Sequence, residues 1–237
     1  MHLGLIGGIG PAATEFYYRG LVRAHASANR TMELMIVHAD VGELLRNMTG
    51  NAPHLQAKAF LRLARRLQAA GAEAMAVTSM AGHFCIRELE ALSPLPIVSA
   101  LPELEAALVR RKLRRVGLLG TRVVMESRVY GGLPGIEVVV PEGADLDSIH
   151  DEYVALATAG RVTDRQREFF FSTGLELCRR QGAEAVVLAG TDLFLAFDGH
   201  DCGFPVIDSA QVHIDALYRE SIKPSGSSPS AEKGRFE

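Results

Sequence analysis

The sequence is short of cysteine and has no long apolar run, and each absence excludes a class of protein. It holds three cysteines, an odd number without the spacing of metal ligands, so we expect neither a disulfide framework nor a metal site. No apolar stretch approaches the roughly 18 residues that a membrane-spanning helix needs. A predicted strand and a glycine turn stand at the start in place of a signal peptide. We therefore expect a cytoplasmic protein.

The sequence also lacks a strong excess of either charge. Its 25 basic and 28 acidic side chains leave a formal net charge of -3, which creates no field that would attract nucleic acid or an acidic membrane surface. One basic run, residues 110–115, lies between an apolar helical pattern and a predicted strand, where it suits the negative end of a helix dipole better than a nucleic-acid contact. We expect no nucleic-acid partner and no membrane partner.

The end of the chain is poor in apolar side chains. Residues 223–237 are rich in serine, proline and glycine, so burial cannot offset the entropy lost on ordering, and we predict a flexible C-terminal tail. The chain as a whole is 48% hydrophobic, which suffices for one large core or two modest ones.

Short β-branched apolar runs alternate along the chain with longer stretches of helical period. This alternation is typical of a parallel sheet whose strands are joined by crossover helices. The predicted strands are 3–6, 35–38, 74–77, 116–119, 137–140, 185–188 and 206–207, and the clearest helices are 13–26, 55–70 and 166–181.

The two halves of the sequence repeat one another. Three segments match in the same order, at offsets of 113, 111 and 109 residues. The alternative is that any parallel α/β protein repeats such glycine-then-strand units, but the shared order favours a true repeat. The matching pairs are 4–7 with 117–120, 71–80 with 182–191, and 96–100 with 205–209.

The repeat predicts an α/β fold of two similar Rossmann-like halves, each a parallel sheet flanked by helices, related by pseudo-two-fold symmetry. Residues 1–100 and 206–222 would form the first half, and residues 101–205 the second. Ligands of such sheets bind beyond the carboxyl ends of the strands. Because Ser79 and Gly190 end matching strands, we expect their loops to face one another across a site between the halves.

The loop after the first strand, 7–11, places backbone amides at the start of a helix, where an anion can bind. Three interpretations stay open: a site for a small carboxylate, a nucleotide site and a structural turn. A dinucleotide site would have a third glycine where Ala13 stands, and Asp40 is the one obvious acidic partner for a ribose. The glycines alone do not decide between them.

The loop after the strand 74–77 carries two candidate polar groups. Ser79 lies where a hydroxyl can cap the following helix. His83 would lie in the first turn of that helix, partly buried, where it can hold either a substrate carboxylate or a backbone carbonyl.

The second half carries corresponding groups. Arg122, next to Thr121, can pair with a substrate carboxylate or face solvent. In the segment 190–192, Thr191 can cap the next helix. Asp192 can pair with an amine, act as a base or stabilise the N-terminus of that helix.

Four motifs taken together resemble the aspartate/glutamate racemase superfamily, whose members do not use pyridoxal phosphate. They are Gly-Gly-x-Gly-Pro at 7–11, Leu-Leu-Gly-Thr at 118–121, Gly-Thr-Asp at 190–192 and Pro-Val-Ile-Asp at 205–208. The resemblance covers almost the whole chain. It implies a cofactor-independent isomerase that acts on a small amino or dicarboxylic acid, often as a homodimer. In that family one cysteine thiolate removes the α-proton, and a thiol on the opposite half reprotonates the other face.

Both cysteine positions of the resembled family are changed here. Counting back from His83 puts Ser79 at the first position, and counting back from Thr191 puts Gly190 at the second. The internal repeat pairs the same two positions. Glycine carries no proton to transfer, so a paired-thiol mechanism at the usual positions is excluded.

The cysteines elsewhere in the chain offer one alternative source of thiol. Cys85 and Cys202 share a Gly-His-x-Cys pattern but lie 117 residues apart, so they are not in matching loops. Cys85 is predicted to pack as a small hydrophobe on a helix, and Cys178 to lie in the core.

Three functions follow for comparison. The first is an enzyme that transfers a proton at the carbon next to a carboxylate, without a cysteine pair. The second is an inactive carboxylate-binding or regulatory member of the same fold, and the third is a nucleotide-dependent enzyme. For the first, the candidate catalytic residues are Ser79, His83, Gly190, Thr191 and Asp192, and the candidate substrate-binding residues are Gly8, Gly10, Pro11, Met80, Gly120, Thr121 and Arg122.

Overall fold

The computed structural model describes residues 1–223. The predicted flexible tail, apart from Lys223, lies outside the described residues. No helix among residues 1–223 combines the length and the apolar character needed to cross a bilayer.

The first half contains a three-stranded parallel sheet in the order β2-β1-β3. The alternation of strand and helix is as predicted, and one further helix lies at Val41–Thr49. The elements are β1 (Leu3–Gly7), α1 (Pro11–Ser27), β2 (Leu34–His38), α2 (Val41–Thr49), α3 (Pro53–Ala69), β3 (Ala74–Val77), a 3-10 helix (Ala81–Cys85), α4 (Ile86–Leu92) and α5 (Ala100–Arg110).

The second half contains a four-stranded parallel sheet in the order β5-β4-β6-β7. The predicted strand at 137–140 is one residue shorter, and the others agree within a residue. The elements are β4 (Arg115–Leu119), α6 (Arg122–Glu126), a 3-10 helix (Val129–Gly131), β5 (Glu137–Val139), α7 (Ala144–Ala159), α8 (Asp164–Gln181), β6 (Ala185–Leu188), α9 (Phe194–Phe197), β7 (Val206–Asp208) and α10 (Ser209–Ser221). Two parallel sheets flanked by helices confirm the predicted α/β class.

Glycines at matching positions let a helix pack closely on the central strand of each sheet. A β-carbon at Gly4 of β1 would approach Leu67 of α3 to 2.8 Å, and one at Gly117 of β4 would approach Leu177 of α8 to 2.9 Å. Such distances are too short for a real side chain. The repeated glycine therefore has a packing cause, since it sets how near the covering helix lies.

The sheets differ at their last strand. Residues 206–208 form β7, which pairs with β6, so they belong to the second sheet and not to the first half as predicted. The matching segment of the first half contributes only an isolated bridge, Met75 with Ile97. The predicted division is therefore wrong at 206–208, because backbone hydrogen bonds hold that segment beside β6.

Helix α10 returns the chain to the first half, where it packs on α1 and α5. Tyr17 of α1 and His213 of α10 are joined by a hydrogen bond of 2.9 Å between the Tyr17 hydroxyl and His213 Nδ1. His213 Nε2 lies 2.8 Å from the carbonyl oxygen of Val98. Because a carbonyl can only accept, Nε2 carries the proton and Nδ1 accepts from Tyr17. Burial lowers the pKa of His213 to about 3, so the ring stays neutral.

Replacing Tyr17 with Phe should destabilise the fold, because His213 Nδ1 would lose its donor in a buried position. We expect the free energy of unfolding to fall by about 1–3 kcal/mol. The neighbouring Tyr18 is 48% exposed, so Tyr18→Phe is the matched control and should change stability little. Urea unfolding followed by circular dichroism measures both, and equal effects of the two variants would contradict the role given to the Tyr17 hydroxyl.

Candidate active site

The loops that follow β1 and β6 meet between the two halves. Asp192, four residues past the end of β6, is 2% exposed. Its Oδ1 accepts a hydrogen bond of 2.9 Å from the backbone amide of Ala13, in the first turn of α1. The residue before α1 is Gly10, which has no side chain to cap the helix. Asp192 thus supplies from the other half the capping oxygen that α1 lacks.

The second oxygen of Asp192 is held by a residue that the sequence did not single out. The hydroxyl of Tyr153, on α7, donates to Asp192 Oδ2 over 3.2 Å. Burial raises the pKa of Asp192, and the hydrogen bonds from Ala13 and Tyr153 oppose that rise. Burial and the Asp192 charge raise the pKa of Tyr153, so its hydroxyl stays protonated and remains a donor.

Tyr153 also explains the glycine at position 190. A β-carbon on Gly190 would overlap the Tyr153 ring. The ring therefore takes the volume into which any side chain at 190 would project. Thr191 is buried, with 3% of its surface exposed. It does not cap α9, which has no side-chain cap.

The glycine loop 7–11 is occupied by contacts within the protein. The Gly8 amide donates to the Thr14 hydroxyl over 2.9 Å, so it is not free to receive a substrate anion as predicted. A side chain at Gly10 would overlap the Asp192 carboxylate. The anion at the start of α1 is therefore the Asp192 side chain. Pro11 is the exposed first residue of α1.

Ser79 and His83 lie in the tight turn after β3. Ser79 Oγ accepts from the Gly82 amide over 3.3 Å, which is the predicted capping contact, here on a 3-10 helix. His83 is 1% exposed instead of partly buried. Its Nδ1 donates to the Ser79 carbonyl over 2.7 Å, and its Nε2 accepts from the Ala100 amide over 3.2 Å.

Both nitrogens of His83 are thus bound to backbone groups. Burial lowers the pKa of His83 to about 4. Of the two roles considered for this ring, the backbone-carbonyl contact is the one formed. The side chain of Met80 is buried in the main hydrophobic core, so it packs there and offers no surface to a ligand.

In the loop after β4, Gly120 and Thr121 are buried and Arg122 lies at the surface. A β-carbon at Gly120 would lie 2.9 Å from the Ala189 carbonyl carbon, so glycine is needed where the ends of β4 and β6 approach. Thr121 Oγ1 accepts from the Val124 amide over 3.4 Å and caps α6. Arg122 pairs with Asp147 and with Glu126 at the surface, which matches the solvent-facing interpretation of this side chain.

The three cysteines lie outside the loops 79–83 and 190–192. Cys85 is fully buried, as predicted, and burial raises the pKa of its thiol to about 12. Its Sγ donates to the Gly82 carbonyl. Cys178 and Cys202 are only partly buried, so the prediction that Cys178 lies in the core is too strong. Burial raises the pKa of the Cys85 and Cys178 thiols, which makes each less able to ionise.

The second half also covers the turn after β3. The hydroxyl of Tyr130 donates to the Ala81 carbonyl over 3.1 Å. Residues 128–130 reach it in a left-handed turn, with φ between 50° and 58°, a conformation that side chains with a β-carbon adopt at a cost. Sequence patterns gave no signal for Tyr130 or Tyr153, because each contacts a residue that is distant from it in sequence.

The sequence matches the family model described as Asp/Glu/hydantoin racemase over residues 6–217, which include both sheets. An aspartate racemase homologue from Pyrococcus horikoshii is 25% identical, with a TM-score of 0.78 over 94% of this chain and 99% of that one. The aspartate racemase of Picrophilus torridus is 19% identical, with a TM-score of 0.77 over 93% of this chain and 94% of that one.

Similarity of fold extends to a glutamate racemase from Francisella tularensis in complex with D-glutamate. That protein is 14% identical, with a TM-score of 0.63 over 92% of this chain and 80% of its own. The family match covers the strand-end loops of both halves described above. This chain belongs to the Asp/Glu/hydantoin racemase family.

Proposed function

We propose that the protein transfers a proton at the carbon next to a carboxylate of a small amino or dicarboxylic acid, with Asp192 as the base. The family consists of racemases, which are isomerases. The supporting observation is the position of the Asp192 carboxylate. It is buried between the halves, held by two donors, and follows two residues after Gly190, where the resemblance places the second cysteine.

The reaction begins with the cleavage of the α-carbon–hydrogen bond. The proton passes to Asp192 Oδ2, and the bonding electrons move into the substrate carboxylate to form an enediolate. A carboxylate with a raised pKa is a stronger base than an ordinary aspartate. Return of a proton from Asp192 to the same face regenerates the acid with its configuration retained.

Two hydroxyls are suited to hold the substrate carboxylate. Ser79 Oγ and Thr121 Oγ1 each accept from a backbone amide, and neither donates to an acceptor within residues 1–223. Each therefore keeps its own hydrogen for a ligand. Such donors stabilise the charge that develops on the enediolate. Ser79 is also the candidate for the opposite face, where an inverting enzyme needs its second acid.

An inactive carboxylate-binding protein of this fold is the second candidate. Two observations favour it: Asp192 itself occupies the amide at the start of α1, and the Tyr153 ring fills the volume beside Gly190. In an enzyme, a substrate acid would have to bind while both of these interactions stay in place. The two candidates differ in turnover, not in location.

Incubation with single amino and dicarboxylic acids in deuterium oxide, followed by proton NMR, tests the proposal. We expect α-proton exchange with little inversion, because one base serves one face. Asp192→Asn keeps an acceptor for Ala13 but is no base, and should slow exchange about 10²–10⁴-fold. Asp198→Asn, in the same segment but exposed, is the matched control.

Three outcomes of this experiment are informative. Exchange that survives in Asp192→Asn would refute Asp192 as the base. Exchange with full inversion would mean that a second acid works on the opposite face. Saturable binding of an acid without any exchange would favour the binding protein.

The pH dependence of the exchange provides a separate test. The base must be ionised, so kcat/KM should rise with pH through a pKa above the ordinary range of aspartate, since burial raises the pKa of Asp192. Tyr153→Phe removes a hydrogen bond that lowers this pKa, so the acid limb should move to higher pH. An acid limb that is unmoved in Tyr153→Phe would show that another group titrates.

A further inference from the structure

A polar pocket lies outside the candidate active site, at the edge of the first sheet. It has a volume of about 170 Å³ and lies between the end of β2, the start of α2 and one face of α3. A water molecule takes about 30 Å³ in the liquid, so the pocket has room for one compact organic molecule. Its polar side chains include Asp40, Gln56 and Arg66.

Gln56 points to a ligand because it is buried and only half satisfied. The residue is 1% exposed, and its Oε1 accepts from Asn47 Nδ2 over 2.9 Å. Its Nε2 has no partner within residues 1–223. Within residues 1–223, every side-chain nitrogen or oxygen that is fully enclosed has a hydrogen-bond partner. The Gln56 Nε2 must therefore open onto the pocket that this residue lines. An amide nitrogen that opens onto a pocket can donate to a ligand there.

The pocket has donors on one wall and acceptors on the other. Arg66, on the same helix as Gln56, has no ion-pair partner among the described residues and adds a charged donor. On the facing wall, Asp40 uses Oδ1 to accept from the Glu43 amide at the start of α2, which leaves Oδ2 free. Glu43 and Arg62 pair with each other over 3.0 Å, so they add no net charge.

We propose that this pocket binds the zwitterionic head of an α-amino acid. The ligand carboxylate would accept from Gln56 Nε2 and from Arg66, and the ammonium would donate to Asp40. A simple anion would be repelled by the Asp40 carboxylate, and a simple cation would be repelled by the Arg66 guanidinium. A side chain at Gly8 would overlap the His38 ring, so the pocket and the loop 7–11 share a wall at His38.

Titration of the protein with glycine, while the side-chain amide signals of Gln56 are followed by NMR, tests the proposal. Acetate carries only the carboxylate of glycine and methylammonium only its ammonium group, so the two serve as matched probes. We expect glycine to shift the Gln56 signals saturably at millimolar concentrations, and each half-probe to bind about tenfold more weakly, as expected when one charged contact is lost.

Two variants on one helix provide the control. Arg66→Gln should weaken glycine binding about tenfold. Arg65→Gln removes an exposed charge that does not line the pocket and should leave binding unchanged. Asp192→Asn should also leave the Gln56 titration unchanged, which separates this pocket from the proposed reaction.

The proposal is overturned by any of three results. Gln56 signals that do not move with glycine would show that the pocket holds no amino acid. Acetate or inorganic phosphate binding as tightly as glycine would indicate an anion contact only. An equal loss of glycine affinity in Arg65→Gln and Arg66→Gln would show that only the overall charge of the helix matters.

Discussion

The Asp192 carboxylate at the start of α1 is the interaction on which the candidate site depends. A helix N-terminus presents unsatisfied amides and the positive end of the helix dipole. Gly10 cannot cap α1, since a side chain there would overlap Asp192. The capping oxygen comes instead from a loop 179 residues further along the chain. This contact joins the two halves and buries a carboxylate between them.

The surroundings of Asp192 follow from that burial. A buried carboxylate needs donors for both oxygens, and Ala13 and Tyr153 supply them. The Tyr153 ring reaches Asp192 only across the space above Gly190, so position 190 must lack a side chain. Glycine at Gly120 then lets the ends of β4 and β6 approach. The glycine at 190 and the Tyr153 ring are thus two aspects of one packing arrangement.

Much of the fold was predictable, because the strands are short apolar runs and the repeat pairs them. The roles of individual side chains were not, since they depend on partners distant in sequence. His83 was left open between a ligand and a backbone contact, and only the positions of Ser79 and Ala100 decide it. Arg122 is drawn to the surface by Asp147 and Glu126. Tyr153 lies in a helix whose sequence gives no sign that it faces Gly190.

The packing of Tyr153 against Gly190 is the central claim, and a double-mutant cycle tests it most directly. Gly190→Ala in the wild-type background should lower the free energy of unfolding by about 1–3 kcal/mol, because the new methyl group overlaps the ring. In a Tyr153→Ala background the same substitution should cost far less, since the space is empty. Additive effects of the two substitutions would contradict the account, because they would mean that Tyr153 does not fill the volume beside residue 190.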